Sequence, residues 1–142
     1  MRQVGSVVAR ARAATNLGRV EEARQIVGAA LLGAPDDPVL LELMADLAYR
    51  LDRNEEALRY ALAAIAADPN RFDAYLTAAL AFDVDRRHDE AIRYARMGVR
   101  LAPDSDSALL TLARGTHRRI EDGSGRGGGQ GRVAAGGRAR AA

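Results

Sequence analysis

The side chains that could carry out catalysis in this chain are few and widely separated. There are two histidines, His88 and His117, and no cysteine. Neither histidine has a serine at a spacing typical of a nucleophile and its base, and the lack of cysteine removes a thiolate nucleophile. We therefore expect no catalytic residues and no enzyme activity. His88 is predicted to pack at the turn before a helix, and His117 is predicted to face solvent.

One segment could attract a cation, because acidic side chains are concentrated in it. It contains Asp83, Asp85, His88, Asp89 and Glu90. A calcium loop also needs a glycine at its sharp turn and regularly spaced ligands, and this segment has neither. We expect these acids to be solvated at a helix turn, with no metal bound.

A glycine-rich word at 123–128, Gly-Ser-Gly-Arg-Gly-Gly, matches the pattern of a dinucleotide-binding loop. Such a loop follows a strand, whereas this word follows a predicted helix and lies in a glycine-rich run. All 21 basic residues are arginine, so a phosphate-binding loop with its lysine is excluded as well. We expect no cofactor and no small-molecule substrate.

The elements that would hold any binding site repeat along the chain. Prolines stand at equal intervals, at positions 35, 69 and 103, and the same word, Arg-x-acid-Glu-Ala, precedes each at the same distance. A fixed period of roughly 34 residues indicates stacked helix-turn-helix units. The words are Arg19-Val20-Glu21-Glu22-Ala23, Arg53-Asn54-Glu55-Glu56-Ala57 and Arg87-His88-Asp89-Glu90-Ala91. The predicted repeats cover about 4–37, 38–71 and 72–105, with a half repeat at 106–121.

The apolar residues of the second repeat recur at three- and four-residue steps, which is typical of a buried helical stripe. Asp37 followed by Pro38 predicts a helix N-cap with proline at the first helical position. Pro69 and Pro103 are expected to end the preceding helices. Each period therefore predicts two antiparallel helices, and the chain as a whole is predicted to be all-α with seven helices. The stripe of the first helix in the second repeat consists of Leu40, Leu41, Met44, Leu47, Ala48 and Leu51.

These repeats resemble the tetratricopeptide repeat (TPR) family over about residues 4–121. The resemblance rests on the period, the closing proline and small residues where the two helices of a unit cross. It implies a right-handed α-solenoid of about three and a half repeats. The excess of alanine, glycine and arginine further suggests a bacterial source. The small residues are Ala11, Ala45, Ala79 and Ala113 in the first helices, Ala23, Ala57 and Ala91 early in the second helices, and Ala30, Ala64 and Gly98 later in them.

The resemblance also implies a binding surface, since TPR arrays typically bind a peptide or a helix of another protein on the concave face of their first helices. Its middle would be acidic with apolar breaks, and its far end basic. By register, the predicted partner-binding residues are Arg12, Glu42, Asp46, Tyr49, Arg50, Asp73, Leu76, Leu80, Asp83, Arg114, His117 and Arg118.

One specialised TPR function is not expected. Co-chaperone TPR domains hold the terminal carboxylate of a peptide with lysine, asparagine and arginine side chains. The matching positions here are Val8, Arg12, Leu43, Asp73 and Thr77, so one donor remains and an acid faces the carboxylate.

The last 20 residues, 123–142, differ from the repeats. Eight are glycine and four are arginine, with no acid, so this segment carries a charge of +4. Such a composition buries too little apolar surface to offset chain entropy, which predicts a disordered tail after a repeat array at 1–122. The tail could act as a flexible tether or bind nucleic acid weakly. It could also be the product of a truncated or shifted reading frame.

Three functions remain open. The first is a cytoplasmic scaffold or adaptor without catalytic activity, whose partner is another protein. The second is a regulatory or accessory fragment of a larger enzyme or membrane complex whose active part is missing. The third is weak nucleic-acid binding by the tail, for which a single Arg-Gly-Gly step without aromatic residues is thin support. Membrane insertion is not expected, because no window has about 18 consecutive apolar residues.

Overall fold

The structure, a computed structural model, describes residues 2–123, which form seven α-helices and no strand. The predicted fold class and number of helices are confirmed. The predicted tail at 123–142 lies, apart from its first residue, outside the described residues. The helices are α1 (Arg2–Asn16), α2 (Val20–Gly33), α3 (Pro38–Arg50), α4 (Asn54–Ala67), α5 (Phe72–Val84), α6 (His88–Leu101) and α7 (Asp106–Asp122).

The helices form two rows. Each helix contacts the next one along the chain, and the odd-numbered helices also contact one another, α1 with α3, α3 with α5 and α5 with α7. The backbones of the even-numbered helices stay farther apart, and α2 and α4 are linked by the ion pair between Arg24 and Glu56 at 4.0 Å. The odd-numbered helices therefore make the inner row of a right-handed solenoid, and the even-numbered helices make the outer row.

The repeated Arg-x-acid-Glu-Ala word builds the start of each outer helix. Its two acids lie in the first turn of α2, α4 and α6, where negative charge is favoured by the helix dipole. None of these three helices has a side-chain N-cap, so the acids supply the favourable interaction at that end. The alanine of the word faces the inner row and is buried at Ala23, Ala57 and Ala91. The word thus combines a helix start with a close helix contact.

The turn from each inner helix to its outer helix is also repeated. Gly18, Asp52 and Arg86, which hold the same position in successive repeats, have positive φ angles of 79°, 62° and 61°. The residue after each one donates its backbone N–H to the carbonyl five residues earlier, at 2.8 to 2.9 Å. This left-handed residue and its hydrogen bond close the inner helix. Glycine adopts the conformation without strain, whereas Asp52 and Arg86 do so at some cost.

Side-chain caps begin two of the inner helices. Asp37 Oδ1 accepts hydrogen bonds from the backbone N–H groups of Val39 and Leu40 at 2.9 and 3.1 Å, with Pro38 at the first helical position. The predicted cap of α3 is therefore confirmed. Ser105 Oγ accepts from the N–H of Ala108 at 3.3 Å and begins α7 in the same way. These caps fix the residue at which each of these inner helices begins.

Small residues lie where the inner and outer helices cross, as the TPR resemblance implies. Ala11 and Ala45 have no exposed surface, and Ala79 has 2%. At Gly98 the approach is closer, because a Cβ atom there would lie 2.7 Å from Leu76 Cδ2. This contact links the outer helix α6 to a side chain on the concave surface.

The prediction of a crossing at Ala113 is wrong for the described chain, since Ala113 is exposed. The reason is that α7 is the last described helix, and none of residues 2–123 covers this face. On its opposite side α7 buries Ala108 and Gly115 against the preceding repeat. The uncovered side exposes Leu109 and Ile120.

Candidate functional site

A groove of about 390 Å³ runs along the inner row of helices. It brings apolar, hydroxyl and charged side chains of α1, α3, α5 and α7 together with one residue of the α4–α5 turn. Its lining residues are Val8, Arg12, Val39, Glu42, Leu43, Asp46, Arg50, Arg71, Asp73, Leu76, Thr77, Leu80, Ser107 and Thr111. Such a surface can contact both the apolar and the charged side chains of a bound segment.

Two ion pairs lie within the groove. Arg71 donates to Glu42 at 2.8 Å and joins the α4–α5 turn to α3. This hydrogen bond raises the pKa of Arg71 above its ordinary value. Arg50 donates to Asp46 at 3.0 Å, one turn apart on α3. The second pair is about half exposed and contributes little to stability, so a ligand can exchange its partners at small cost.

Two further groove charges have no ion-pair partner within 4 Å among residues 2–123. They are Arg12 on α1 and Asp73 in the first turn of α5. Desolvation by the groove walls raises the pKa of Asp73, and repulsion from Asp46 adds to the effect. Arg71 and Arg12 act in the opposite direction without cancelling it. The ionised form of Asp73 is therefore held at an energetic disadvantage.

Seven of the twelve predicted partner-binding residues line the groove, and five do not. Of the five, Tyr49 is half-buried on α3, outside the lining. Arg114 is exposed and borders a narrow crevice between α5 and α7. His117 is 70% exposed and interacts with Glu121 at 3.3 Å. The seven that line the groove are Arg12, Glu42, Asp46, Arg50, Asp73, Leu76 and Leu80.

Asp83 and Arg118, the remaining two, belong to a polar network between α5, α6 and α7. Asp83 is 6% exposed and is contacted by His88 Nδ1 at 3.0 Å and by Arg118 Nε at 3.1 Å. Arg118 is thereby drawn to the C-terminal end of α5. The basic far end that the sequence predicted for the concave face is consequently not part of the groove lining.

The acidic segment around His88 is only partly solvated. The prediction that these acids are solvated is correct for Asp85 and Asp89, which are exposed. It is wrong for Asp83, which packs against a buried His88. His88 is the first residue of α6, one position after the predicted turn, and His117 faces solvent as predicted. Within residues 2–123 no three side chains of the metal-ligating types come together in a way that could hold a metal ion.

Sequence reasoning missed part of the groove. Arg71 precedes an inner helix, and nothing in its immediate sequence indicates that it reaches Glu42, 29 positions earlier. Leu43, Thr77 and Thr111 share one position of three successive repeats and line the groove together. Leu43 and Thr77 match co-chaperone donor positions, and extending the concave register by that one position adds all three to the predicted set.

None of the helices described between residues 2 and 123 combines the length and the apolar character needed to cross a lipid bilayer.

Comparison with known proteins identifies the fold through structure. No protein-family model matches the chain, and no curated protein matches it. Among solved structures, the Sgt2 TPR domain from Aspergillus fumigatus is 20% identical, with 94% of this chain and 89% of that chain covered and a TM-score of 0.80. The first TPR domain of Spaghetti (RPAP3), bound to the HSP90 peptide SRMEEVD, is 19% identical, with 81% and 91% covered and a TM-score of 0.75.

A region of a much larger protein is similar as well. The Thermobaculum terrenum O-GlcNAc transferase is 20% identical over 80% of this chain and 22% of the enzyme chain, with a TM-score of 0.77. Identities at this level show the fold and leave the function open. The described chain thus has the fold of a TPR solenoid.

Proposed function

We propose that this protein is a scaffold or adaptor without catalytic activity, and that it binds a peptide or a helix of a partner protein in its concave groove. The observation that carries the proposal is the groove itself. Residues of four successive inner helices line it, and they mix Val39, Leu43 and Leu80 with charged side chains. A continuous surface of this kind is what a solenoid offers to an elongated ligand.

The solved structures support the class of ligand. The first RPAP3 TPR domain is bound to an HSP90 peptide, and the second, from the human protein, to the HSP70 peptide SGPTIEEVD. Both peptides end in acidic residues. The present groove offers Asp73 and Thr77 at positions where co-chaperone domains have donors, so its ligand differs from these two peptides.

Affinity capture tests the proposal. The full chain would be immobilised and exposed to a lysate of its source organism, with Leu80→Glu as the groove variant. Leu110→Glu is the matched control, because Leu110 is 64% exposed and lies outside the groove lining. We expect a partner that both the wild type and Leu110→Glu retain and Leu80→Glu loses. Equal capture by both variants would contradict binding in the groove.

A second candidate is that the chain is a regulatory or accessory part of a larger enzyme or membrane complex. It is favoured by the similarity to a region that makes up 22% of an O-GlcNAc transferase chain. An antibody against residues 2–123 would detect the native protein in cells of the source organism. A band much larger than the present chain would support this candidate, and a band of its size without an associated enzyme would contradict it.

Composition supports a bacterial, cytoplasmic setting for the proposed scaffold, with residues 1–122 as the binding module and 123–142 as an appended tail. Fractionation of the source cells tests the location. Recovery of the protein outside the cytoplasmic fraction would contradict it.

A further inference from the structure

One carboxylate in the groove lacks the partner that its neighbours have. Glu42 and Asp46 are each hydrogen-bonded to an arginine, at 2.8 and 3.0 Å. Asp73 is exposed to the groove and has no cation within 4 Å among residues 2–123. Asp73, at the start of α5, is therefore the one acid of the groove lining without an ion-pair partner among residues 2–123.

The surroundings of Asp73 favour an incoming cation. Asp46 on α3 is close enough to raise the pKa of Asp73 by repulsion, in addition to the effect of desolvation. A positive charge placed between these two carboxylates would relieve the repulsion and replace the lost hydration. Arg71, one of the two arginines whose charge acts on Asp73, already donates to Glu42. The three arginines of the groove lining equal its three acids in number, but none of them lies within 4 Å of Asp73.

Apolar side chains flank this position. Leu80 follows Asp73 along the same face of α5, and Val39 and Leu43 of α3 line the same groove. These three side chains are half-buried, whereas Leu76 is 6% exposed and offers little surface. A ligand that presents a cation to Asp73 must also cover the three half-buried side chains. A lysine or arginine meets both requirements, because its aliphatic stem packs on apolar surface while its head remains charged.

We propose that the groove binds a segment of a partner protein that places a lysine or arginine against Asp73 and apolar side chains against Leu43 and Leu80. This inference rests on the proposed function and specifies the chemistry of its ligand. The other unpaired groove charge, Arg12 on α1, makes an acidic segment the competing ligand, and the experiment separates the two.

The test selects ligands from a phage-displayed library of short random peptides on the immobilised full chain. Clones that bind the wild type and are lost on Leu80→Glu are sequenced, so that only groove ligands are counted. We expect lysine and arginine to be enriched at one position between apolar residues. Failure to recover any clone that binds the wild type and is lost on Leu80→Glu would contradict both the proposed function and this inference.

Synthetic versions of the selected peptides then test Asp73 directly. Asp73→Asn should weaken binding of a basic peptide about fivefold or more, and the loss should shrink at high salt. Glu55→Gln is the matched control, since Glu55 is an exposed acid in the first turn of α4, outside the groove. It should change the affinity less than about twofold.

Two outcomes would overturn the inference while leaving the proposed function intact. One is a set of groove ligands without basic enrichment. The other is a set enriched in acidic residues, whose binding is lost on Arg12→Gln and kept on Asp73→Asn.

Discussion

His88 and Asp122 stand 34 positions apart and are in direct contact, with His88 Nε2 2.5 Å from Asp122 Oδ2. The other ring nitrogen, Nδ1, lies 3.0 Å from Asp83 Oδ1. The imidazole ring of His88 therefore bridges two carboxylate groups through its two nitrogens. This buried ring between two carboxylates ties the last turn of α7 to α5 and α6.

Removal of His88 should be costly. His88→Ala leaves Asp83, whose side chain is 7% exposed, with Arg118 as its remaining partner and opens a cavity. We expect a loss of about 2 to 4 kcal/mol in the free energy of unfolding, measured by urea denaturation. His117→Ala is the control, because His117 is 70% exposed and should cost less than about 0.5 kcal/mol. Similar losses would show that the network contributes no more than a surface pair.

The attachment of α7 should weaken in acid. The hydrogen bond from His88, together with the charge of Arg86, holds the pKa of Asp122 below its ordinary value of 3.8. An acid with a lowered folded pKa stabilises the fold above its unfolded pKa, and this contribution is lost as the pH falls through the folded pKa. We expect the amide protons of residues 116–122 to lose exchange protection below about pH 4. In Asp122→Asn the protection should already be low at neutral pH and should change little with acid.

Asp73 should have the opposite effect on stability. Its folded pKa is raised, chiefly by desolvation, so its contribution to stability increases as the pH falls through that value and is least at neutral pH. Its place in the first turn of α5 favours the charge through the helix dipole, yet the direction of the pKa shows that this is outweighed. Asp73→Asn should therefore leave the melting temperature at pH 7 unchanged or slightly raised, while weakening a basic ligand. A clear drop in the melting temperature would show that Asp73 has a structural partner.

The absence of a side chain at Gly98 should be needed for the packing of Leu76. A Cβ atom in Gly98→Ala would meet Leu76 Cδ2 at 2.7 Å, and Leu76 is 6% exposed. Overpacking of about 1 to 3 kcal/mol outweighs the helix-propensity gain of about 1 kcal/mol, so a net loss of up to about 2 kcal/mol is expected. Gly5→Ala is the control, since nothing lies within 4 Å of its Cβ position, and it should gain up to about 1 kcal/mol. Chemical denaturation of both variants measures the change in the free energy of unfolding. A more stable Gly98→Ala would show that Leu76 moves aside without cost.

The repeated elements of this fold could be predicted from the sequence because each depends on local chemistry. The word around Ala57 starts an outer helix with its acids and supplies the small residue of the crossing. The cap formed by Asp37 depends on two neighbouring residues alone. Because the helix-starting word recurs from repeat to repeat, one copy supports the prediction of the next.

The missed features depend on contacts between distant parts of the chain. Asp83 holds the same repeat position as Tyr49, so register predicts both on the concave face, but His88 and Arg118 contact Asp83 and bury it. Arg71 enters the groove because Glu42 attracts it from a turn. The repeat position of a residue predicts which face of its helix it lies on. It does not predict which distant residue a long charged side chain will pair with.

The end of the described array can be tested with two alanines at the same repeat position. Ala79 on α5 is 2% exposed, and Ala113 on α7 is exposed because no helix among residues 2–123 covers it. Ala79→Leu adds three carbons to a close-packed crossing and should cost about 1 to 3 kcal/mol in urea unfolding. Ala113→Leu adds the same atoms to open surface and should change stability by less than about 0.5 kcal/mol. Equal losses would mean that this face of α7 is covered in solution.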